Sequence, residues 1–91
     1  MSENSLERRR EPRLPASGAV RLVLVEEVSS RTIEGRLVDT SLSGFRAAHE
    51  YTGLASGQEV EFEYAGRRGR ARVAWTRVAA GEVESGFFVL G

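Results

Sequence analysis

The chain has 91 residues, room for one domain, and no cysteine, which excludes a disulfide framework and a thiolate metal site. All 13 basic residues are arginine, and 13 acidic residues balance them; zero net charge argues against broad nonspecific binding of nucleic acid. A single histidine, His49, cannot form a metal cluster by itself, so no metal site is expected.

The first residues lack the apolar run of a signal peptide. No stretch approaches the roughly 20 apolar residues that a spanning helix needs. A cytoplasmic location without membrane insertion is the expectation. Residues 1–15 are polar and charged and carry both prolines, Pro12 and Pro15. Proline lacks the amide donor that a helix or central strand requires, so this segment reads as an extended N-terminal arm. Residues 16–91 read as one β-domain.

A first strand is expected over 18–27, with Val20, Leu22 and Leu24 on one face and Arg21, Val23 and Val25 on the other. A turn at Ser29 and Ser30 leads to a second strand over 31–38, then a loop over 39–44 and a short strand over 45–48. The stretch 49–57 is looser and rich in turn residues, and His49 reads as a turn or surface residue. Further strands follow over 59–64, 68–77 and 83–90. Six short strands with turn signals between them, and no helical pattern, point to an all-β fold. In so short a chain a closed six-stranded antiparallel β-barrel avoids exposed edges.

The segment from Glu59 to Tyr64 alternates acids with Val60, Phe62 and Tyr64, and Ala65-Gly66 reads as a two-residue hairpin turn. Pairing outward from that turn sets Glu63 opposite Arg68, Glu61 opposite Arg70 and Glu59 opposite Arg72. The arginine cluster at 67–72 thus reads as a cross-strand ladder more than as a nucleic-acid patch. Phe62, Tyr64, Trp75, Phe87 and Phe88 mostly fit alternating positions and read as core or barrel-mouth residues.

Two constellations carry chemistry. In Arg8-Arg9-Arg10-Glu11-Pro12-Arg13 the guanidinium forks can grip a phosphate or the O6/N7 edge of guanine, and they stack on flat rings. Taken alone, the run reads as a solvated basic tail. In Asp39-Thr40-Ser41-Leu42-Ser43-Gly44 the aspartate can accept from guanine N1 and N2 or orient an arginine. The serine can donate, and the glycine lets a flat ligand approach the backbone. Taken alone, this reads as an ordinary turn.

In this order and spacing the two resemble the signature of the PilZ domain family: R-x-x-x-R in an N-terminal arm, then D/N-x-S-x-x-G between the second and third strands. Arg9 and Arg13 match the first motif; Asp39, Ser41 and Gly44 match the second. Gly44-Phe45-Arg46, the segment from Val73 to Arg77, and Ser85-Gly86-Phe87-Phe88 look like later PilZ strands, so the likeness spans 7–90. The resemblance implies a PilZ-like six-stranded barrel that binds cyclic di-GMP and passes its level to a downstream protein. Arg9 and Arg13 would hold phosphate and guanine, Asp39 and Ser41 a guanine edge, and Gly44 would give the ligand room. Arg8 and Arg10 are added as neighbouring contacts. The helix that often follows PilZ barrels has no counterpart before Gly91.

The resemblance implies a receptor that is not an enzyme, with no cofactor other than its ligand; a monomer or weak homodimer is the expectation. No catalytic residues are expected: His49 has no carboxylate or nucleophile arranged around it, and Asp39 with Ser41 lacks the base that a nucleophilic serine needs. Ordering of the arm around the ligand is the expected signal. The main alternative is a PilZ-like adaptor that does not bind the nucleotide; a single-stranded nucleic-acid binder would need a basic groove that the balanced charge disfavours.

Overall fold

The computed structural model describes residues 11–91. Within them the chain is all-β: β1 (Leu14–Pro15), β2 (Ala19–Val25), β3 (Ser30–Thr40), β4 (Gly44–His49), β5 (Glu59–Tyr64), β6 (Arg67–Ala79) and β7 (Glu82–Val89). Neighbours run β3-β2-β5-β6-β7-β4, and β4 pairs back onto β3, closing a six-stranded antiparallel barrel. The two-residue β1 pairs with the end of β3, where β2 has run out, and continues that ladder past Ala16 to Gly18. All six expected strands are present, with ends displaced by one to a few residues; the loop over 39–44 contracts to 41–43 because Asp39, Thr40 and Gly44 join the ladder. Among the described residues no helix is long and apolar enough to cross a membrane.

Alternation places the core. Val20, Leu22 and Leu24 of β2 and Val60, Phe62 and Tyr64 of β5 are buried, while the residues between them face outward. At the centre Phe45 is fully buried, stacked on Phe87 with centroids 4.8 Å apart and tilted against Phe62 and Tyr64 at 5.1 and 5.2 Å. These are the separations at which aromatic pairs add to plain area burial. Leu54, from the looser segment after β4, joins the same core.

The β5–β6 hairpin has the expected register, with Glu59, Glu61 and Glu63 opposite Arg72, Arg70 and Arg68. Ala65 and Gly66 both have positive φ, 49° and 78°, the hand of turn that matches strand twist. The ion pairs distribute differently from the register. Arg70 and Arg72 both reach Glu59, at 3.4 and 3.1 Å, while Glu63 lies 3.8 Å from Arg21 of the neighbouring β2. Long arginines reach diagonally as readily as straight across, and pairs this exposed contribute at most about 1 kcal/mol each.

His49 is not a surface residue. It ends β4 at 6% exposure, because its position in the alternation follows Phe45 and Ala47 into the interior. Its Nδ1 accepts the Tyr51 amide at 3.1 Å, so the proton sits on Nε2, which lies 2.8 Å from Ser85 Oγ; Ser85 in turn meets Thr76 Oγ1 at 2.7 Å. This chain satisfies the buried polar atoms of β4, β6 and β7 together.

Burial lowers the His49 pKa below its ordinary 6.5. The unfolded chain therefore binds the proton more readily, and stability falls as pH drops below about 6.5 toward the folded value. Urea unfolding at pH 7.5 and 5.5 checks this: the wild type loses stability at the lower pH, and His49→Gln loses markedly less between the same two values.

Candidate ligand-binding site

Two β-bulges build the site. In β3 the ladder to β4 shifts between Leu37, opposite Ala47, and Asp39, opposite Arg46. Residues two apart on a regular strand share a face, so without the shift Asp39 would follow Leu37 into the core. The extra residue turns it to the outer face. A second bulge, between Val73 and Trp75 of β6, does the same for Trp75, which lies opposite Gly86. Asp39, Arg46, Gly86 and Trp75 thus form one row across β3, β4, β7 and β6 on the outside of the barrel.

Asp39 is the chain's only aspartate, and although it faces outward it is 5% exposed. Arg13 Nε donates to Oδ1 at 3.1 Å, with Nη2 at 3.0 Å from the same oxygen. Arg46 holds Oδ2, through Nε at 2.8 Å and through Nη2. Burial works against the charge, but the hydrogen bonds from Arg46 and Arg13 outweigh it and hold the Asp39 carboxyl below the usual range. The charged chain continues outward. Arg46 Nη1 stands 4.0 Å from Glu84, Glu84 accepts from Arg77 at 2.9 Å, and the Arg77 guanidinium lies 5.4 Å from the Trp75 ring centroid.

The arm is anchored beside this row. Leu14 and Pro15 pair with Thr40 and Asp39, and the Ala16 amide donates to the Val38 carbonyl at 3.1 Å. Glu11 accepts from Ser43 Oγ at 2.8 Å and from the Ser43 amide at 3.2 Å, bonds that lower its pKa. The connection from β3 to β4 is a tight turn in which the Ser41 amide donates to the Gly44 carbonyl at 2.9 Å. Ser41 Oγ is buried and makes no hydrogen bond of normal length among the described residues, though it lies close enough to the Glu11 carboxylate to help lower its pKa.

Of the residues expected from sequence, Arg13, Asp39, Ser41 and Gly44 come together at this end of the barrel, while Arg8, Arg9 and Arg10 lie outside the described residues. Asp39 is committed to two guanidiniums, the arginine-orienting role of the two considered for it. Gly44 has a reason of its own: a Cβ there would run into the Phe87 carbonyl oxygen, so glycine lets β4 approach β7. Gly86 likewise accommodates the Trp75 ring, whose atoms lie 2.6 Å from where a Cβ would stand. Sequence reasoning missed Glu11, Ser43, Arg46, Arg77 and Glu84, it read Trp75 as core or barrel mouth rather than as part of an outer row, and it read Phe88 as core, whereas Phe88 is exposed on β7. Arg46 was legible as the outward residue between Phe45 and Ala47, whereas Trp75 was hidden by its bulge.

No model of a known protein family matches the chain, and no curated protein is found similar to it.

The obstruction at Gly44 is backbone, which cannot rotate away. Gly44→Ala is therefore expected to lower unfolding free energy by about 1–3 kcal/mol, as overpacking does. Urea denaturation measures it; a midpoint equal to wild type would show that β4–β7 spacing is not what requires glycine.

Proposed function

We propose that the protein is a receptor for cyclic di-GMP, a PilZ-like barrel acting in the cytoplasm, which signals to a downstream protein by a change in its N-terminal arm. The observation that carries this reading is the meeting of the two motifs. Arg13 of the arm reaches Asp39 of β3, beside a buried Ser41 hydroxyl that makes no hydrogen bond of normal length among the described residues. A buried polar atom left over at such a junction is a donor or acceptor available to a ligand.

The chemistry of the row suits a nucleotide with flat bases and phosphates. Arginine offers paired donors to phosphate and to guanine. Trp75, half-buried with Arg77 over its ring, is a surface on which a base can stack. Ser41 and, once Arg13 has left it, Asp39 Oδ1 are the groups that would bond a guanine edge. The described charges at the site balance, with Arg13, Arg46 and Arg77 against Glu11, Asp39 and Glu84. The positive excess that a doubly charged ligand needs is assigned to Arg8, Arg9 and Arg10, with Arg9 and Arg13 as the principal pair.

Isothermal titration calorimetry with cyclic di-GMP tests the proposal. Wild type is expected to bind with a dissociation constant on the order of micromolar, and Arg13→Ala to lose at least about tenfold. The fitted stoichiometry separates one ligand from a stacked pair. Absence of heat, and of any rise in melting temperature with ligand, would overturn the receptor reading and favour an adaptor that works through protein contacts alone.

A further inference from the structure

We infer that Arg46 is a positioning residue that sets how firmly the arm is latched: it shares the Asp39 carboxylate with Arg13 and remains as its counter-ion when Arg13 leaves. The ligand half of this inference rests on the receptor reading above; the latch itself stands on geometry alone.

The two guanidiniums are divided between the two carboxylate oxygens, Arg13 on Oδ1 and Arg46 on Oδ2. They differ in what carries them. Arg13 comes from the arm, tied to the barrel by two residues of β1, the Ala16 amide and the Glu11–Ser43 contact. Arg46 comes from the middle of β4, paired on both sides with β3 and β7, and is also drawn toward Glu84. Arg13 can leave with the arm, whereas the backbone of Arg46 is held in the barrel wall and keeps its guanidinium within reach of Asp39.

The side chain of Asp39 is only 8% exposed. Losing Arg13 with no second cation present would strand a buried carboxylate, which is strongly disfavoured. With Arg46 in place a neutral pair remains. Arg46 also weakens the latch directly, because it competes for the carboxylate and its positive charge repels that of Arg13. One side chain on the rigid wall therefore supports Asp39 and keeps release of the arm inexpensive, without itself needing to touch a ligand.

The Ala16 amide, bonded to Val38, reports the latch by hydrogen exchange in the full chain without ligand. Arg46→Gln is expected to slow that exchange roughly 5- to 30-fold, and Arg46→Lys, which keeps the charge, to return most of the wild-type rate. Asp39→Asn, which removes the shared acceptor, should speed exchange and abolish the effect of adding Arg46→Gln. Unchanged or faster Ala16 exchange in a folded Arg46→Gln would overturn the inference. Should that variant not fold, Glu84→Gln leaves Arg46 wholly on Asp39 and must speed exchange; no change, or slowing, overturns it.

Cyclic di-GMP titrations complete the test. Arg46→Gln is expected to weaken binding by a comparable factor and Arg46→Lys to restore it. If wild type does not bind, the receptor reading falls while Ala16 exchange still decides the latch. If wild type binds and Arg46→Gln binds as tightly, the receptor stands and the role of Arg46 in freeing Arg13 does not.

Discussion

A carboxylate buried on the outside of a barrel must take its counter-ions from whatever segments pass over it, and Asp39 takes them from two. Arg46 arrives from the adjacent strand β4 and Arg13 from the arm, one on each oxygen. Removing an ionised group from water costs several kcal/mol unless it is paired and hydrogen-bonded, so the position of Asp39 dictates that of its partners. The docking of β1, the row from β3 to β6 and the candidate site all follow from it. Glu11 on Ser43 is the second anchor, on the far side of the turn.

Beside Asp39 the barrel wall is closely fitted by two glycines. Gly44 lets β4 lie close to the Phe87 carbonyl, and Gly86 leaves room for the Trp75 ring on the outer face. Inside the same strands Phe45 and Phe87 stack at the centre of the core. The outer row and the aromatic core are two sides of β4 and β7. A substitution that shifts these strands moves core and site together, because close-packed interiors transmit small displacements.

Polar groups inside the barrel are handled by the same logic. His49, Ser85 and Thr76 form a continuous hydrogen-bonded chain across β4, β7 and β6, ended by the Tyr51 amide. The neutral imidazole fits because one nitrogen accepts a backbone donor and the other donates to a hydroxyl. Arginine–glutamate pairs on the outer faces of β2, β3, β5 and β6 are exposed and individually weak, and they keep an arginine-rich surface balanced more than they hold the fold.

The sequence by itself determined what depends on neighbours along the chain. Period-two alternation located the six strands and the buried faces of β2 and β5, and the Ala65-Gly66 turn determined the β5–β6 register to the residue. Arg13, Asp39, Ser41 and Gly44 were grouped by the resemblance of two ordered motifs to a family signature, and the structure brings all four to one end of the barrel. What only tertiary structure decided is where alternation breaks and who stands alongside. The bulges at Leu37/Asp39 and Val73/Trp75 reverse the facing of Asp39 and Trp75, and an inserted residue in a ladder leaves no mark in composition. The bonding of His49 to Ser85, the sharing of Asp39 with Arg46 and the pairing of Glu63 with Arg21 all arise from contacts between different strands of the closed barrel. Side-chain periodicity is a property of one strand, whereas ion pairs and buried hydrogen bonds belong to two, and strand order supplies the second.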